Sequence, residues 1–260
     1  MVNCNVCGSD TRAVFNHEVL GKYTCTYYYC DACGFLQTEE PYWLDEAYSS
    51  AIATADTGII QRNLNLSKLL SCLLFFQFDR HGKYLDMAGG YGILTRLMRD
   101  VGFDFYWSDK YCENIFAKGF ESIEKESFTA LTAFEVLEHV PNPVSFISDA
   151  MEMAKTRTLI FSTELFAGLP PAPDSWWYYA FQTGQHISFY QRRTLQIIAE
   201  KLNLECYSNG SFHLLTDKKI NSTAYRLLTH RRIGIVLSFL PKILSESKTM
   251  KDHLNIMGRH

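Results

Sequence analysis

The feature that most constrains this 260-residue chain is a short strand that runs into a glycine-rich turn and then into a helix. The strand begins at Lys83, and the letters KYLDMAGGYG lead from it through the turn. An amphipathic helix is predicted to follow over Ile93–Arg99. Glycines let a backbone approach a ligand closely, and the first N–H groups of a helix then face that ligand. This order predicts an α/β sheet with a nucleotide-type ligand at the turn.

Hydrophobic periodicity elsewhere extends this unit into a larger sheet. Helices are predicted over Asn63–Phe78, over Arg192–Leu202 and from a start near Pro143. Strands are predicted at Phe103–Trp107, Thr129–Phe134, Thr158–Thr163, Glu205–Tyr207 and Phe212–Leu215. Together these elements indicate a Rossmann-like α/β fold with seven mostly parallel strands and a final antiparallel hairpin. The place of the third strand is left open, because the interval before the fourth strand is short.

Composition and charge exclude several classes of protein. Aromatic residues make up 14% of the chain, too many for a solvated, disordered polypeptide. The net charge of −3 argues against a global electrostatic hold on nucleic acid. No apolar run reaches the roughly 18 residues that cross a bilayer, and the N-terminus lacks the basic start and apolar core of a signal peptide. We therefore expect a cytoplasmic protein whose eight cysteines are thiols or metal ligands.

Two C-x-x-C pairs lie near the N-terminus, formed by Cys4 with Cys7 and by Cys30 with Cys33. Two such turns present four thiolates, which suits a tetrahedral Zn²⁺ site of the zinc-ribbon type. With four sulfur ligands and no open position, the predicted site is structural. The alternative is a set of ordinary reduced thiols, and Cys25 is close enough in sequence to compete as a ligand.

The glycine-rich turn, D-M-A-G-G-Y-G from Asp86, resembles the first motif of the class I S-adenosylmethionine-dependent methyltransferases, D/E-x-G-x-G-x-G. Ala88 stands in the place of the first glycine, which costs little where its φ is negative. The resemblance implies S-adenosylmethionine as cofactor. It also implies that Asp86 fixes the turn and meets the amino group of the methionine part, while Gly89, Gly90 and Gly92 approach the cofactor closely.

Two further positions match this family. Asp109 follows the second strand, and an acidic residue about 20 residues beyond the glycine turn is placed to accept hydrogen bonds from ribose hydroxyls; the alternative is a solvated turn residue. The string F-E-V-L-E-H-V-P-N-P resembles the strand-four segment of a group that includes ubiquinone-pathway O-methyltransferases. The resemblance places Phe134 and Glu135 under the methionine part of the cofactor. The residue that contacts adenine is left open, with Glu121 as a candidate.

The string Q-H-I-S-F-Y resembles E-H-x-S-Y-F of deoxysugar C-methyltransferases, which also carry an N-terminal four-cysteine zinc module. The resemblance places His186 beside the substrate as catalytic base, with His139 as a substitute base and Gln185 in place of an acidic neighbour. A neutral histidine can take a hydroxyl proton near pH 7. The alternative is a core histidine bonded to a backbone carbonyl.

Glu135, Glu138 and His139 form E-x-x-E-H, a set that resembles the divalent-metal ligands of small-RNA 2′-O-methyltransferases and ubiquinone-pathway enzymes. We favour the alternative in which Glu135 faces the cofactor while Glu138 and His139 cap the next helix. The segment 166–190 holds three prolines and four adjacent aromatic residues, Trp176, Trp177, Tyr178 and Tyr179. These rings could stack on a sugar or a base, or cover the edge of a sheet.

The predicted organisation is a zinc-ribbon module (1–42), a helical linker or lid (43–80), a methyltransferase domain (81–216) with a substrate insert (166–190), and a C-terminal helical extension (217–260). The extension could pack on the domain, mediate dimerisation or touch a membrane surface. The expected reaction is methyl transfer to a hydroxyl, or with less support a carbon, of a sugar-type or other small acceptor such as a sugar nucleotide. A metal-dependent RNA 2′-O-methyltransferase and a non-catalytic binding scaffold are the alternatives, and the oligomeric state is left open.

Overall fold

The computed structural model describes residues 2–48, 56–122 and 126–258. The chain folds into two compact units. Unit 1 comprises Met1–Ala53, Phe134–Ala150 and Phe161–Asp217, and unit 2 comprises Thr54–Ala133, Met151–Ile160 and Lys218–His260. The four segments predicted from the sequence stay predictions, and residues 49–55 of the predicted linker lie outside the described residues.

The predicted elements are present with small shifts at their ends. In chain order the strands are β1 (Arg12–Val19), β2 (Tyr23–Tyr29), β3 (Leu36–Thr38), β4 (Lys83–Met87), β5 (Asp104–Ser108), β6 (Ala130–Ala133), β7 (Thr158–Ser162), β8 (Ser188–Phe189), β9 (Glu205–Asn209) and β10 (Phe212–Thr216). The helices are α1 (Leu44–Ala47), α2 (Ile59–Gln77), α3 (Ile93–Val101), α4 (Pro143–Met153), α5 (Arg192–Lys201), α6 (Ser222–Leu228), α7 (Arg231–Leu237), α8 (Phe239–Leu244) and α9 (Thr249–Ile256). Short 3₁₀ turns cover Leu137–His139, Pro173–Ser175 and Trp177–Tyr179.

Unit 2 holds the parallel strands that carry the glycine-rich turn. Strand β4 lies between β5 and β6, and Tyr84 pairs with Phe105 on one side and with Ala130 on the other. All four residues of β6 are buried, as expected for a parallel strand covered on both faces. Strand β7 lies next to β6, and its last two residues belong to unit 1.

In unit 1, β7 is followed in the sheet by β10 and then by β9, which pair as the predicted antiparallel hairpin. The described residues therefore form six of the seven expected strands. At the place of the missing strand, Glu121 forms a single parallel bridge with Trp107.

A second, smaller sheet in unit 1 was not predicted as a whole. Its order is β1-β2-β3-β8, so a strand from the N-terminal cysteine region pairs with residues 188–189 of the Q-H-I-S-F-Y string. The sheet is covered by an apolar cluster that is rich in aromatic side chains. Its buried members include Tyr27, Tyr29, Trp43, Tyr178, Tyr179, Phe181 and Phe189.

Helix α2 is the centre of the helical packing in unit 2, where it contacts α3, α6, α7 and α8. Helix α9 is attached to α3 by a buried ion pair, in which Arg99 makes two hydrogen bonds of 2.8 Å to the carboxylate of Asp252. Arg96 adds a third bond of 2.9 Å to the same carboxylate. Within the described residues, the helices are all too short or too polar to span a membrane.

Candidate functional site

Asp86 lies directly beneath the glycine-rich turn of unit 2, against Gly89. Asp86 is buried, and its two carboxylate oxygens accept hydrogen bonds from the hydroxyls of Thr132 (2.8 Å) and Thr95 (3.0 Å). Burial raises the pKa of Asp86 to about 6. The side chain therefore lies beneath the turn, and its predicted contact with the cofactor's amino group stays a prediction.

Three residues of this turn have a positive φ, namely Ala88 (+52°), Gly90 (+54°) and Gly92 (+84°). Alanine in place of the first glycine was expected to cost little where its φ is negative. The φ of Ala88 is positive, so its backbone is strained here. A Cβ on Gly89 would lie 2.8 Å from the Asp86 carboxylate, and a Cβ on Gly92 would lie 2.7 Å from Oδ1 of Asn114. The turn thus requires glycine at these two positions for reasons of space.

Asp109 points at the turn, as its predicted role requires. Its Oδ2 accepts a hydrogen bond from the N–H of Gly90 (2.9 Å), and its Oδ1 accepts bonds from the N–H groups of Tyr111 (2.7 Å) and Cys112 (2.8 Å). A carboxylate has about four acceptor positions, so three filled positions leave one for a ribose hydroxyl.

The segment after Asp109 lies against the glycine turn, since the N–H groups of Ile115 and Phe116 both donate to the carbonyl of Tyr91. Three side chains here, Tyr111, Ile115 and Phe116, are exposed. The carboxylate of Glu121, the candidate adenine residue, accepts bonds from Asn114 and from the N–H of Gly119. Sequence reasoning missed the exposed apolar side chains of this segment, because it forms neither helix nor strand.

The turn after β6 belongs to unit 1 and contains a second strained residue. Glu135 has a φ of +56°, which is uncommon for a residue with a side chain. Its N–H donates to Oγ of Ser162 (2.9 Å), and that hydroxyl donates to the Glu135 carboxylate (2.6 Å). Phe134, one residue earlier, packs its ring 5.6 Å from that of Phe212. Strained backbone of this kind is concentrated at functional sites.

The Q-H-I-S-F-Y string lies alongside the E-V-L-E-H-V turn and is hydrogen-bonded to it. The N–H of Ile187 donates to the carbonyl of Glu138 (2.8 Å), and the hydroxyl of Tyr190 donates to the carbonyl of Leu137 (2.7 Å). The hydroxyl of Ser188 also donates to the carbonyl of Val140 (2.6 Å). These bonds bring together two histidines that are 47 positions apart in the sequence.

His139 and His186 form an edge-to-face pair with ring centroids 4.8 Å apart. Nδ1 of His139 lies 3.0 Å from the carbonyl oxygen of Gln185, and Nδ1 of His186 lies 2.6 Å from that of Tyr178. A carbonyl only accepts, so each Nδ1 carries the proton and each Nε2 keeps its lone pair. Loss of hydration lowers the pKa of His139 to about 3 and that of His186 to about 4, so both rings are neutral at pH 7.

The buried side chain of Glu138 joins this pair. Glu138, His139 and His186 each offer one ligand atom, and these atoms lie within 4.8 Å of one another. The predicted arrangement in which Glu138 caps the next helix places its side chain elsewhere, whereas here it lies beside the imidazoles. Gln185, in place of the acidic neighbour, donates its side-chain amide to the carbonyl of Ala47 (2.8 Å) and so holds this segment in position.

The four adjacent aromatic residues of the insert divide into two pairs. Tyr178 and Tyr179 are buried in the aromatic cluster of unit 1, where they cover the small sheet. Trp177 is 77% exposed, and with Trp176 it lines a hollow of about 460 Å³. The wall of this hollow also includes His17, Asp174 and Phe181. Tyr178 and Tyr179 therefore fit the alternative in which the rings cover a sheet. Trp176 and Trp177 remain the candidates for stacking on a ligand.

The N-terminal cysteines form a four-sulfur cluster. Cys4, Cys7, Cys30 and Cys33 have their sulfur atoms within 4.8 Å of one another, with distances of 3.4 Å between Cys4 and Cys33 and between Cys7 and Cys30. Cys25 lies outside the cluster, in the apolar core of unit 1, where burial raises its pKa to about 12. Cys25 is therefore not part of the candidate ligand set, an alternative that the sequence left open.

Comparison with known proteins identifies the class. A family described as a methyltransferase domain matches residues 60–209, which is more than half of the chain. The chain therefore belongs to this family of methyltransferase domains. No curated protein matches it.

Several solved structures match parts of this chain at low sequence identity. TnmH is 16% identical over 68% of this chain and 61% of its own, with a TM-score of 0.46. CalO1, a methyltransferase in calicheamicin biosynthesis with bound SAH, is 11% identical over 69% and 60%, with a TM-score of 0.48. Magnesium protoporphyrin IX methyltransferase (ChlM) from Synechocystis PCC 6803, with bound SAH, is 14% identical over 66% and 90%, with a TM-score of 0.44. The chain spans about three fifths of the length of TnmH and CalO1.

Proposed function

We propose that this protein transfers the methyl group of S-adenosylmethionine to a hydroxyl group of a small, sugar-type acceptor, with a carbon as the less favoured target. The observation that carries the proposal is the pair of neutral imidazoles, His139 and His186, each with its Nε2 lone pair available. Nucleic acid is not expected as the acceptor, and a cytoplasmic location stays a prediction.

The glycine turn has the donors and acceptors that the cofactor needs. Asp109 would bind a ribose hydroxyl through its remaining acceptor position, and Gly90 and Gly92 would allow the backbone to approach. Exposed Tyr111 and Phe116 would supply apolar surface for the adenine ring. S-adenosylmethionine, when bound, supplies an activated methyl group on a cationic sulfur, so the protein's task is chiefly to orient the acceptor.

His186 would hold the acceptor's hydroxyl through Nε2 and take its proton. The Nδ1–H bond to the carbonyl of Tyr178 fixes both the ring and its tautomer. A pKa of about 4 makes His186 a weak base, yet it stays deprotonated at neutral pH. Once the hydroxyl oxygen has gained a methyl group, its O–H is strongly acidic, so a weak base suffices to remove the proton.

The hollow beside Trp177 would bind the rest of the acceptor. An exposed indole face stacks well on the apolar face of a sugar ring, and Asp174 in the same hollow can accept hydrogen bonds from sugar hydroxyls. We expect Trp177→Ala to raise KM with little change in kcat, because the contact is equally strong in ground and transition states. Tyr42→Ala, which removes another exposed aromatic ring of unit 1, is the control.

Turnover of S-adenosylmethionine in the presence of sugar nucleotides and other hydroxyl acceptors tests the proposal. His186→Asn is expected to lower kcat by roughly 100-fold or more and to leave cofactor affinity unchanged. His81→Asn, at an exposed histidine of unit 2, should behave as wild type. Full activity of His186→Asn on every acceptor that the wild type methylates would refute the assigned base.

A metal-dependent reaction is the second candidate, and the cluster of Glu138, His139 and His186 favours it. Imidazoles that donate Nδ1–H to backbone carbonyls and present Nε2 are typical metal ligands, and one carboxylate completes a common set. These residues would hold a divalent ion, which when bound supplies Lewis-acid chemistry at the acceptor oxygen. The acceptor would then include a 2′-hydroxyl of RNA. Activity that survives both EDTA and Glu138→Gln would eliminate this candidate.

We also propose that the four cysteines hold a structural Zn²⁺. A tetrahedron with Zn–S bonds of about 2.3 Å has sulfur atoms about 3.8 Å apart, and the observed separations of 3.4 Å to at most 4.8 Å bracket this value. The sulfur–sulfur contact with Cys33 lowers the pKa of Cys4, which favours its thiolate form. The remaining alternative, a non-catalytic scaffold, predicts a folded protein that binds no cofactor.

A further inference from the structure

A basic and apolar surface covers the outer side of helices α6 to α8 in unit 2. We call it the α6–α8 face, and its main side chains are Arg231, Arg232, Val236, Phe239, Lys242 and Ile243. Val236 is 73% exposed and Phe239 is 65% exposed, which is unusual for large apolar residues on neighbouring helices. The proposed methyl transfer makes no use of this face.

The packing of α7 explains why these side chains are exposed. Gly234 faces α2, where a Cβ would lie 2.6 Å from Cδ2 of Leu69, and its carbonyl accepts a hydrogen bond from Sγ of Cys72 (3.2 Å). Arg232 and Val236 are each two positions from Gly234, which is a rotation of about 200° around the helix. The close contact at Gly234 therefore directs Arg232 and Val236 away from the core of unit 2.

Charge indicates what this face binds. Residues 218–245 contain six lysines and arginines and no aspartate or glutamate, in a chain of net charge −3. Arg231, Arg232 and Lys242 are exposed, and within the part of the chain that the structure describes no ion pair involves them. A second copy of the same face would bring like charges together, which disfavours dimerisation here. A negatively charged partner that accepts apolar side chains fits the face better.

We propose that the α6–α8 face docks this protein on an anionic phospholipid surface, with the helices lying in the interface. Val236, Phe239 and Ile243 insert between headgroups, while Arg231, Arg232 and Lys242 bind the lipid phosphates. This is peripheral binding, and it is independent of the methyl-transfer proposal. Each basic residue near an anionic membrane surface contributes about 1 kcal/mol to binding, which raises the partition coefficient roughly fivefold.

Vesicle co-sedimentation of the full chain tests the proposal, with vesicles of phosphatidylcholine and phosphatidylglycerol in a ratio of about 3:1 against phosphatidylcholine alone. We expect binding to the anionic vesicles only, weakened by salt. The double variant Arg231→Gln/Arg232→Gln should lower the partition coefficient roughly tenfold or more. Val236→Ser/Phe239→Ser should lower it by a similar factor while retaining all charges.

Arg192→Gln/Arg193→Gln is the matched control, because it removes an adjacent exposed arginine pair from α5 of unit 1. It should bind as the wild type does, and circular dichroism should show that all three variants are folded. Equal binding to neutral vesicles, equal loss in the control, or no loss in the serine variant would each overturn the proposal. Light scattering that shows a dimer dispersed by Val236→Ser/Phe239→Ser, without vesicle binding, would assign the face to a second copy instead.

Discussion

At the residue scale, the two strained positions in the turns after β4 and β6 show what local sequence patterns leave undetermined. The letters D-M-A-G-G-Y-G predicted a turn at this place, where Asp86 is buried and Asp109 accepts a hydrogen bond from the N–H of Gly90. The letters did not predict the φ of +52° at Ala88, because alanine does not itself favour the left-handed region. A non-glycine residue in this conformation costs about 1–2 kcal/mol.

Ala88→Gly should therefore stabilise the protein. Relief of the left-handed backbone outweighs the extra entropy of glycine in the unfolded chain, for a net gain of about 0.5–1 kcal/mol in the free energy of unfolding. Ala180→Gly is the matched control, since Ala180 has a φ of +48° in unit 1. Urea unfolding measures both; a gain for Ala180→Gly but none for Ala88→Gly would contradict strain at the turn.

His213 makes stability depend on pH. It is fully buried, with Nε2 2.9 Å from the carbonyl oxygen of Thr163 and Nδ1 2.9 Å from the hydroxyl of Ser208. Burial lowers its pKa to about 4, whereas the unfolded chain takes up the proton near pH 6.5. The contribution of neutral His213 to the free energy of unfolding is thus present above pH 6.5 and is lost as the pH falls toward 4.

Between pH 7.5 and pH 5, this one histidine should cost about 2 kcal/mol of unfolding free energy. His213→Gln removes the titration, so its stability should change less over this interval by about that amount. Urea unfolding of both proteins at the two pH values provides the measurement. An identical pH dependence in wild type and variant would show that His213 is not the titrating group.

At the element scale, the sequence predicted the individual strands and helices well and their long-range pairing poorly. Periodicity located α2, α3, α5 and the strands of the large sheet to within a few residues, because hydrophobic patterning is a local property. The pairing of β3 with β8 joins residues about 150 positions apart, and no local signal specifies it. The hydrogen bonds that join the Q-H-I-S-F-Y string to the E-V-L-E-H-V turn also link distant residues, so the contact of His139 with His186 had no local signal either.

The cysteine cluster should make unit 1 depend on metal. Purified protein is expected to contain about one zinc ion per chain, and Cys30→Ser should reduce this to well below half and lower the midpoint of thermal unfolding. Cys206→Ser, which changes a cysteine of β9 outside the cluster, is expected to retain zinc. Elemental analysis after gel filtration decides the matter, and a Cys30→Ser protein with its full zinc content would disprove the site.

The ion pair between α3 and α9 should contribute strongly to the stability of unit 2. Asp252→Ala removes the carboxylate that accepts two bonds from buried Arg99 and leaves Asp104 as its other ionic partner, so we expect a loss of about 3 kcal/mol. Asp100→Ala removes a more exposed partner of Arg96 on the same helix and should cost about 0.5 kcal/mol or less. Urea unfolding compares the two variants, and equal losses would mean that burial of the Arg99–Asp252 pair does not matter.

At the scale of the whole molecule, the proposed cofactor and acceptor roles fall on different parts of the chain. The glycine turn and Asp109 in unit 2 would bind the cofactor, and the histidine pair and the tryptophan hollow in unit 1 would bind and deprotonate the acceptor. The class of the protein could be recognised from D-M-A-G-G-Y-G and F-E-V-L-E-H-V-P-N-P, because both strings resemble motifs of methyltransferases. The acceptor could not, because the hollow proposed for it joins His17 to residues 173–182, a contact that no local pattern specifies.

Isothermal titration of the folded, zinc-containing protein with S-adenosylmethionine tests the central claim most directly. We predict saturable heat with about one cofactor per chain, and at least roughly tenfold weaker binding by Asp109→Ala, which removes the carboxylate proposed for the ribose. His186→Asn should bind the cofactor as the wild type does, because its role concerns the acceptor. Folded wild-type protein that gives no heat at millimolar cofactor would contradict the account and leave only a methyltransferase fold without its cofactor.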